Sequence, residues 1–130
     1  MKHKPNLLLI EPDKILADIY RSALVKNQYN VVIVSNAQAG IYAVDKLLPD
    51  LIILELQLTK HSGVEFLYEL RSYSEWQNIP VIILSMVNFS EFKNSSNILF
   101  NNLKVKAYYH KLTTSVSELL EIIQNNIAVV

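Results

Sequence analysis

Four stretches of this chain are apolar at every position: Leu7-Leu8-Leu9-Ile10, Val31-Val32-Ile33-Val34, Leu51-Ile52-Ile53-Leu54 and Val81-Ile82-Ile83-Leu84. A strand with one wet face alternates apolar and polar residues. A continuous run needs cover on both faces, as in a parallel sheet. Val105 to Tyr109 reads as a fifth strand. Between the runs, apolar residues recur at helical spacing. Ile15, Leu16, Ile19, Tyr20 and Leu24 form one stripe, and Ala37, Ile41, Val44 and Leu48 a second. Val64, Leu67 and Leu70 form another; Val116, Leu119, Leu120, Ile123 and Ile127 form the last. Repeated strand–helix alternation predicts a doubly wound α/β domain, and right-handed crossovers at this length favour the strand order 2-1-3-4-5.

The boundaries agree with the periodicity. Ser62-Gly63-Val64-Glu65 and Ser115-Val116-Ser117-Glu118 each fit a capping box, while Pro49-Asp50 and Pro80 sit where loops feed strands. The segment Asn88 to Leu103 fits least well, because Asn94-Ser95-Ser96-Asn97 interrupts its apolar residues with poor helix formers. A short, broken or mobile fourth helix is expected there. At 130 residues, 51% of them hydrophobic, the chain is read as one domain over 1–130, with no output domain beside it.

Several functions are disfavoured by composition. Lys plus Arg equals Asp plus Glu at 12 each, so no basic face is expected and no nucleic-acid partner. The apolar runs are too short to span a bilayer. The basic start from Met1 to Asn6 precedes a run cut at once by Glu11, Pro12 and Asp13, so no secretory signal is read and a cytoplasmic location is expected. With no cysteine there is no thiol chemistry. Only two glycines occur, neither in a phosphate-cradling loop; Ser85 has no flanking glycines, and His3, His61 and His110 lack zinc-ligand spacing. Enzyme activity is therefore not expected. Tyr68, Tyr73 and Trp76 read as packing around the end of the third helix rather than as a cofactor site.

In an open α/β sheet, chemistry gathers outside the carboxyl ends of the strands. Glu11-Pro12-Asp13 follows the first strand, Glu55 ends the third, Ser85 the fourth, and His110-Lys111 the fifth. Each has a plain structural reading. Asp13, taken singly, reads as a helix cap before it reads as a metal ligand, with Pro12 suited to a first helical turn. Ser85 can bond nearby backbone, and Lys111 can be a solvated lysine. Glu55 differs, because a carboxylate between Leu54 and Leu56 at the end of a buried strand needs a partner such as Lys111.

The run Pro49-Asp50-Leu51-Ile52-Ile53-Leu54-Glu55-Leu56-Gln57-Leu58 with Gly63, the run Ile79-Pro80-Val81-Ile82-Ile83-Leu84-Ser85, and Tyr108-Tyr109-His110-Lys111 resemble, in order and spacing, the third, fourth and fifth strands of bacterial response regulator receiver domains. The resemblance covers nearly the whole chain. It implies a flavodoxin-like fold and a place in two-component signalling. In that family, acids after the first strand and the third-strand Asp hold Mg²⁺, and that Asp accepts a phosphoryl group from a histidine kinase. By position, Glu11 matches the first acid, Ser85 the hydroxyl and Lys111 the lysine that bind phosphoryl oxygens, and Tyr108 the switch aromatic.

The departures fall on the same chemistry. Pro12 stands in place of the second acid, Glu55 in place of the phosphoacceptor Asp, Thr59 and Leu112 in place of prolines. Mg²⁺ demands near-octahedral oxygen ligands. No metal or other cofactor is therefore expected, with Glu11, Asp13 and Glu55 only weak candidate ligands. A longer carboxylate at Glu55 is expected to pair permanently with Lys111 and to imitate part of a phosphoryl charge. The resulting reading is an atypical receiver acting by protein–protein contact without phosphorylation, its partner a histidine kinase or a downstream effector. The alternatives are weak phosphorylation or ligand occupancy of the pocket, or an adaptor or homodimer through the face of the fourth helical segment, last strand and last helix. That face would carry Phe92, Phe100, Tyr108, Leu112 and Thr113-Thr114-Ser115.

Overall fold

A computed structural model describes residues 3–59 and 61–127; Met1 and Lys2 of the basic start lie outside the described residues. Five strands, β1 (Asn6–Ile10), β2 (Asn30–Val34), β3 (Leu51–Leu54), β4 (Val81–Ser85) and β5 (Val105–His110), form one sheet. Its order is β2-β1-β3-β4-β5, and every neighbouring pair is parallel, as the alternation predicts. The helices are α1 (Lys14–Lys26), α2 (Ala37–Leu47), α3 (Gly63–Ser72) and α4 (Val116–Asn126). Both capping boxes form, at Ser62 with Glu65 and at Ser115 with Glu118. Among the described residues no helix is long and apolar enough to cross a membrane.

Strand alternation divides the core into two layers. Leu8, Ile10, Ile52, Leu54 and Ile83 face α2, α3 and the 89–102 segment, where Val44, Phe66, Leu67 and Leu99 meet them. Leu7, Leu9, Leu51, Ile53 and Ile82 face α1 and α4, against Ala17, Tyr20, Leu24, Leu119 and Ile123. Fully burying one such side chain contributes about 1.5–3 kcal/mol, so these layers hold the fold.

A bulge in β5 re-aims its second half. Val81 pairs with Val105 but Ile82 pairs with Ala107, so Lys106 is the extra residue. One inserted residue reverses the alternation. Val105 and Tyr108 therefore both face the α3 layer, while Ala107 and Tyr109 face α1 and α4.

Three readings from periodicity are corrected. Ile15 is 75% exposed and Ile19 is also exposed, because the buried stripe of α1 runs through Ala17, Tyr20 and Leu24 instead. Leu48 leaves the α2 stripe, since it caps that helix in a left-handed conformation (φ 47°) and turns outward. Strand β2 lies at the sheet edge and is covered only in part, with Val32 exposed. Phe66 is buried although absent from the predicted stripe. Of the three aromatics near the end of α3, Trp76 is buried with its ring centroid 4.5 Å from that of Tyr73, whereas Tyr68 is exposed.

The segment after β4 is broken, as its composition predicts. A 3₁₀ stretch, Phe89–Ser95, passes into a π-helical turn, Ile98–Asn102. Its far end is gripped by Arg71, a buried arginine of α3. The Arg71 guanidinium donates to the carbonyls of Leu103 (2.9 Å), Trp76 (2.9 Å), Gln77 (3.3 Å) and Lys104 (3.4 Å). Burial pulls its pKa below the usual arginine value.

Candidate functional site

Four elements converge at the carboxyl edge of the sheet. Glu11 leaves β1 with its amide bonded to the Val34 carbonyl (2.9 Å), and Glu55 leaves β3 with its amide on the Ile10 carbonyl (3.0 Å). Backbone pairing thus continues one residue past each strand and fixes where both carboxylates start. Ser85 is the last residue of β4, and Lys111 follows β5. Gly63 lets α3 begin close behind: a Cβ there would lie 2.9 Å from the Glu55 carbonyl oxygen and 2.8 Å from the Leu56 Cα. Any side chain at that position would push against the backbone that carries Glu55.

The centre is one ammonium between two carboxylates. Lys111 Nζ lies 2.5 Å from Glu11 Oε1 and 2.6 Å from Glu55 Oε1. All three side chains are at most 5% exposed. Each remaining oxygen is also engaged. Glu11 Oε2 accepts from the Asp13 amide (3.1 Å). Glu55 Oε1 accepts from the Met86 amide (3.1 Å) as well as Lys111, and Glu55 Oε2 accepts from the Gln57 amide (3.0 Å) and the Ser85 hydroxyl. The Ser85 oxygen in turn accepts from the Val87 amide (3.0 Å).

Electrostatics follow from this geometry. Burial pushes the Glu55 carboxyl up, but hydrogen bonds from Lys111, Ser85 and the Gln57 amide outweigh it, leaving Glu55 below its ordinary value. For Lys111, burial pulls down while bonds to Glu11 and Glu55 pull up, with a net rise. The two shifts agree: each partner stabilises the other's charged form. The Tyr108 hydroxyl donates to the Val87 carbonyl (2.6 Å), and burial together with the Glu55 and Glu91 charges drives its pKa up to about 12. Tyr108 packs among aromatic rings, with centroids 5.1 Å from Phe89 and 6.0 Å from Phe92. Tyr20 of α1 is raised by burial, with Lys111, Glu11 and Glu55 all contributing to its field.

The structure brings Glu11, Glu55, Ser85 and Lys111 into one bonded group and sets Tyr108 beside it. It does not bring in the Asp13 carboxylate. Asp13 Oδ1 accepts from the Ile15 (3.0 Å) and Leu16 (3.1 Å) amides as the cap of α1, so that carboxylate is spent on helix amides. Pro12 precedes this cap rather than entering the first turn. Among the described residues, no group of three or more His, Cys, Asp or Glu side chains is arranged to hold a metal ion. The Gln57 and Met86 amides and the ring of His110 complete the site, and residue type gives no sign of the first two, since every non-proline residue offers an amide.

The family model of the response regulator receiver domain matches residues 7–96 of the chain. Over 80 residues, 62% of this chain and 34% of the relative, it is 35% identical to the KDP operon transcriptional regulatory protein KdpE of Escherichia coli (strain K12). The chain spans about a third of the length of the curated relatives it matches first. Among solved structures, a response regulator receiver domain protein (CheY-like) from Methanospirillum hungatei superposes with a TM-score of 0.82 at 22% identity, covering 94% of this chain and 92% of that one. The chemotaxis response regulator CheY4 of Vibrio cholerae gives 0.82 at 17% identity, covering 95% and 99%. At such identities the likeness shows the fold.

Proposed function

Since the chain belongs to the response regulator receiver domain family of two-component signalling, we propose that it is an atypical receiver held in one state by its own side chains, without phosphorylation. The observation that carries this is the Lys111 ammonium bonded at once to Glu11 and Glu55, with every Glu55 oxygen already supplied with donors. Glu55 stands at the phosphoacceptor position. Its carboxylate takes the lysine and the serine hydroxyl that a phosphoryl group would otherwise engage.

The donor set also argues against Mg²⁺ as a cofactor. A small dication needs near-octahedral oxygens at about 2.0–2.1 Å. Here Pro12 has no ligating side chain, Asp13 caps a helix, and the two carboxylates that do converge are both turned onto a cation. In-line phosphoryl transfer depends on positioning and charge neutralisation, and this pocket offers neither a free carboxylate nor a metal seat. Tyr108, its hydroxyl drawn to the Val87 carbonyl beside Ser85, favours the inward, activated-like arrangement over an inert scaffold.

In this reading the domain is not an enzyme and works by contact with another signalling protein, a histidine kinase or an effector. The face of the 89–102 segment, β5 and α4 presents exposed Phe89, Ile98 and Leu112, the last 76% exposed. Exposed apolar residues of that kind suit a partner surface or a homodimer. The direct test is treatment with acetyl phosphate, or with beryllofluoride, in the presence of Mg²⁺. Unchanged mass and unchanged amide spectra are expected. A stable adduct on Glu55, or saturable shifts at Glu55 and Lys111 on adding Mg²⁺ alone, would falsify the proposal.

A further inference from the structure

His110 ends β5 and sits across from Ser85 in the β4–β5 register. Its ring touches two different loops. Nε2 lies 3.0 Å from the Met86 carbonyl oxygen, just after β4, and Nδ1 lies 3.1 Å from the Leu112 amide, in the turn after β5. A carbonyl oxygen can only accept and an amide N–H can only donate. The ring must therefore donate from Nε2 and accept at Nδ1, which only the neutral Nε2–H tautomer does. A protonated ring has no acceptor, and the Nδ1–H tautomer satisfies neither contact.

Met86, and Lys111 next to Leu112, meet at one atom. The Met86 amide donates to Glu55 Oε1, and Lys111, immediately before Leu112, donates to that oxygen too. We infer that His110 is a positioning residue: its neutral ring clasps the loop after β4 to the turn after β5, so that the Met86 amide and the Lys111 ammonium converge on one oxygen of Glu55. This deepens the phosphorylation-independent reading and rests on it only for the consequence, a pocket set without phosphate. The clasp itself is a matter of two hydrogen bonds and a tautomer.

The two ring nitrogens can be imitated one at a time. The side-chain oxygen of asparagine stands near the place of Nδ1, and the side-chain nitrogen of glutamine near that of Nε2. The experiment uses the full chain, labelled with ¹⁵N. In the wild type, two-bond ring correlations at mildly alkaline pH should show His110 as the Nε2–H tautomer, assigned by its disappearance in His110→Gln. An Nδ1–H pattern or an averaged one overturns the inference without need of any variant. Amide exchange then separates the two contacts. The Met86 amide should stay slow in His110→Gln and quicken about tenfold in His110→Asn and His110→Phe; the Leu112 amide should stay slow only in His110→Asn. Equal Met86 rates in all three variants, with β3 amides still protected, sink the clasp. Failure of the Glu55–Lys111 pair itself would show separately, as a rapidly exchanging Lys111 ammonium in wild-type protein whose His110 is still the Nε2–H tautomer.

Discussion

Among the described residues two cations, Lys111 and Arg71, have buried side chains, at opposite ends of the sheet, and they are satisfied in different ways. Lys111 lies between two carboxylates, and its pKa rises; Arg71 lies among four backbone carbonyls, with no carboxylate in contact among the described residues, and its pKa falls. The difference separates a charged group from a charged site. At the carboxyl edge three ionised groups depend on one another, so removing any one leaves the rest stranded in a dry place. At the other edge one ion serves as a bundle of fixed donors that ties α3 to the chain entering β5. The first arrangement is a group of charges that stand or fall together. The second is construction.

Deleting each cation in turn gives the largest expected effects. Lys111→Met leaves Glu11 and Glu55 buried without a counter-charge, and urea unfolding at neutral pH should show a loss of about 3–5 kcal/mol. Arg71→Met removes donors but also relieves a desolvated charge, so the expected loss is smaller, about 2–3 kcal/mol for carbonyls left unsatisfied.

Acidity should then pull the two variants apart. Folded Glu55 titrates below its ordinary value of 4.5, so its contribution is present above that value and is lost as pH falls through the depressed folded value. Folded Lys111 titrates above its ordinary value of 10.5, so its contribution is present below that value and is lost as pH rises through the raised folded value. Wild type should hold a stability plateau between these limits. Lys111→Met should regain stability on mild acidification, because its stranded carboxylates then bind protons more readily folded than unfolded. Arg71→Met should keep the wild-type slope, and a shared slope for both variants would erase the distinction drawn between the two cations. The smallest effect belongs to Tyr108→Phe, which gives up the bond to Val87 and should cost about 0.5–1.5 kcal/mol in thermal unfolding.

The same contrast explains what could be read from residues alone. Glu11, Glu55, Ser85 and Lys111 were legible because a parallel sheet carries whatever follows its strands to one edge, and the strands announce themselves by unbroken apolar runs. The sheet order followed for the same reason. Arg71 was not legible, because its partners are carbonyls at Trp76, Gln77, Leu103 and Lys104, which no residue type marks. The role of His110 was hidden likewise behind the Met86 carbonyl and the Leu112 amide. Ile15 and Ile19 misled because helical period fixes the spacing of a stripe but not which apolar side meets the sheet. The bulge at Lys106, which decides where Tyr108 points, left only a break in the alternation of β5.

The broken segment between β4 and β5 is fastened unequally at its two ends. Beyond Asn102, the carbonyls of Leu103 and Lys104 are held by a buried guanidinium, and Lys104 adopts a left-handed conformation (φ 55°). Near Phe89, the ties are ring contacts, the Tyr108 hydroxyl on Val87, and neutral hydrogen bonds such as that of the His110 ring to the Met86 carbonyl. Bonds to a buried ion thus anchor one end, and ring packing with a few neutral hydrogen bonds anchors the other. Amide exchange is accordingly expected to run faster around Phe89 than around Leu103, which hydrogen–deuterium exchange checks.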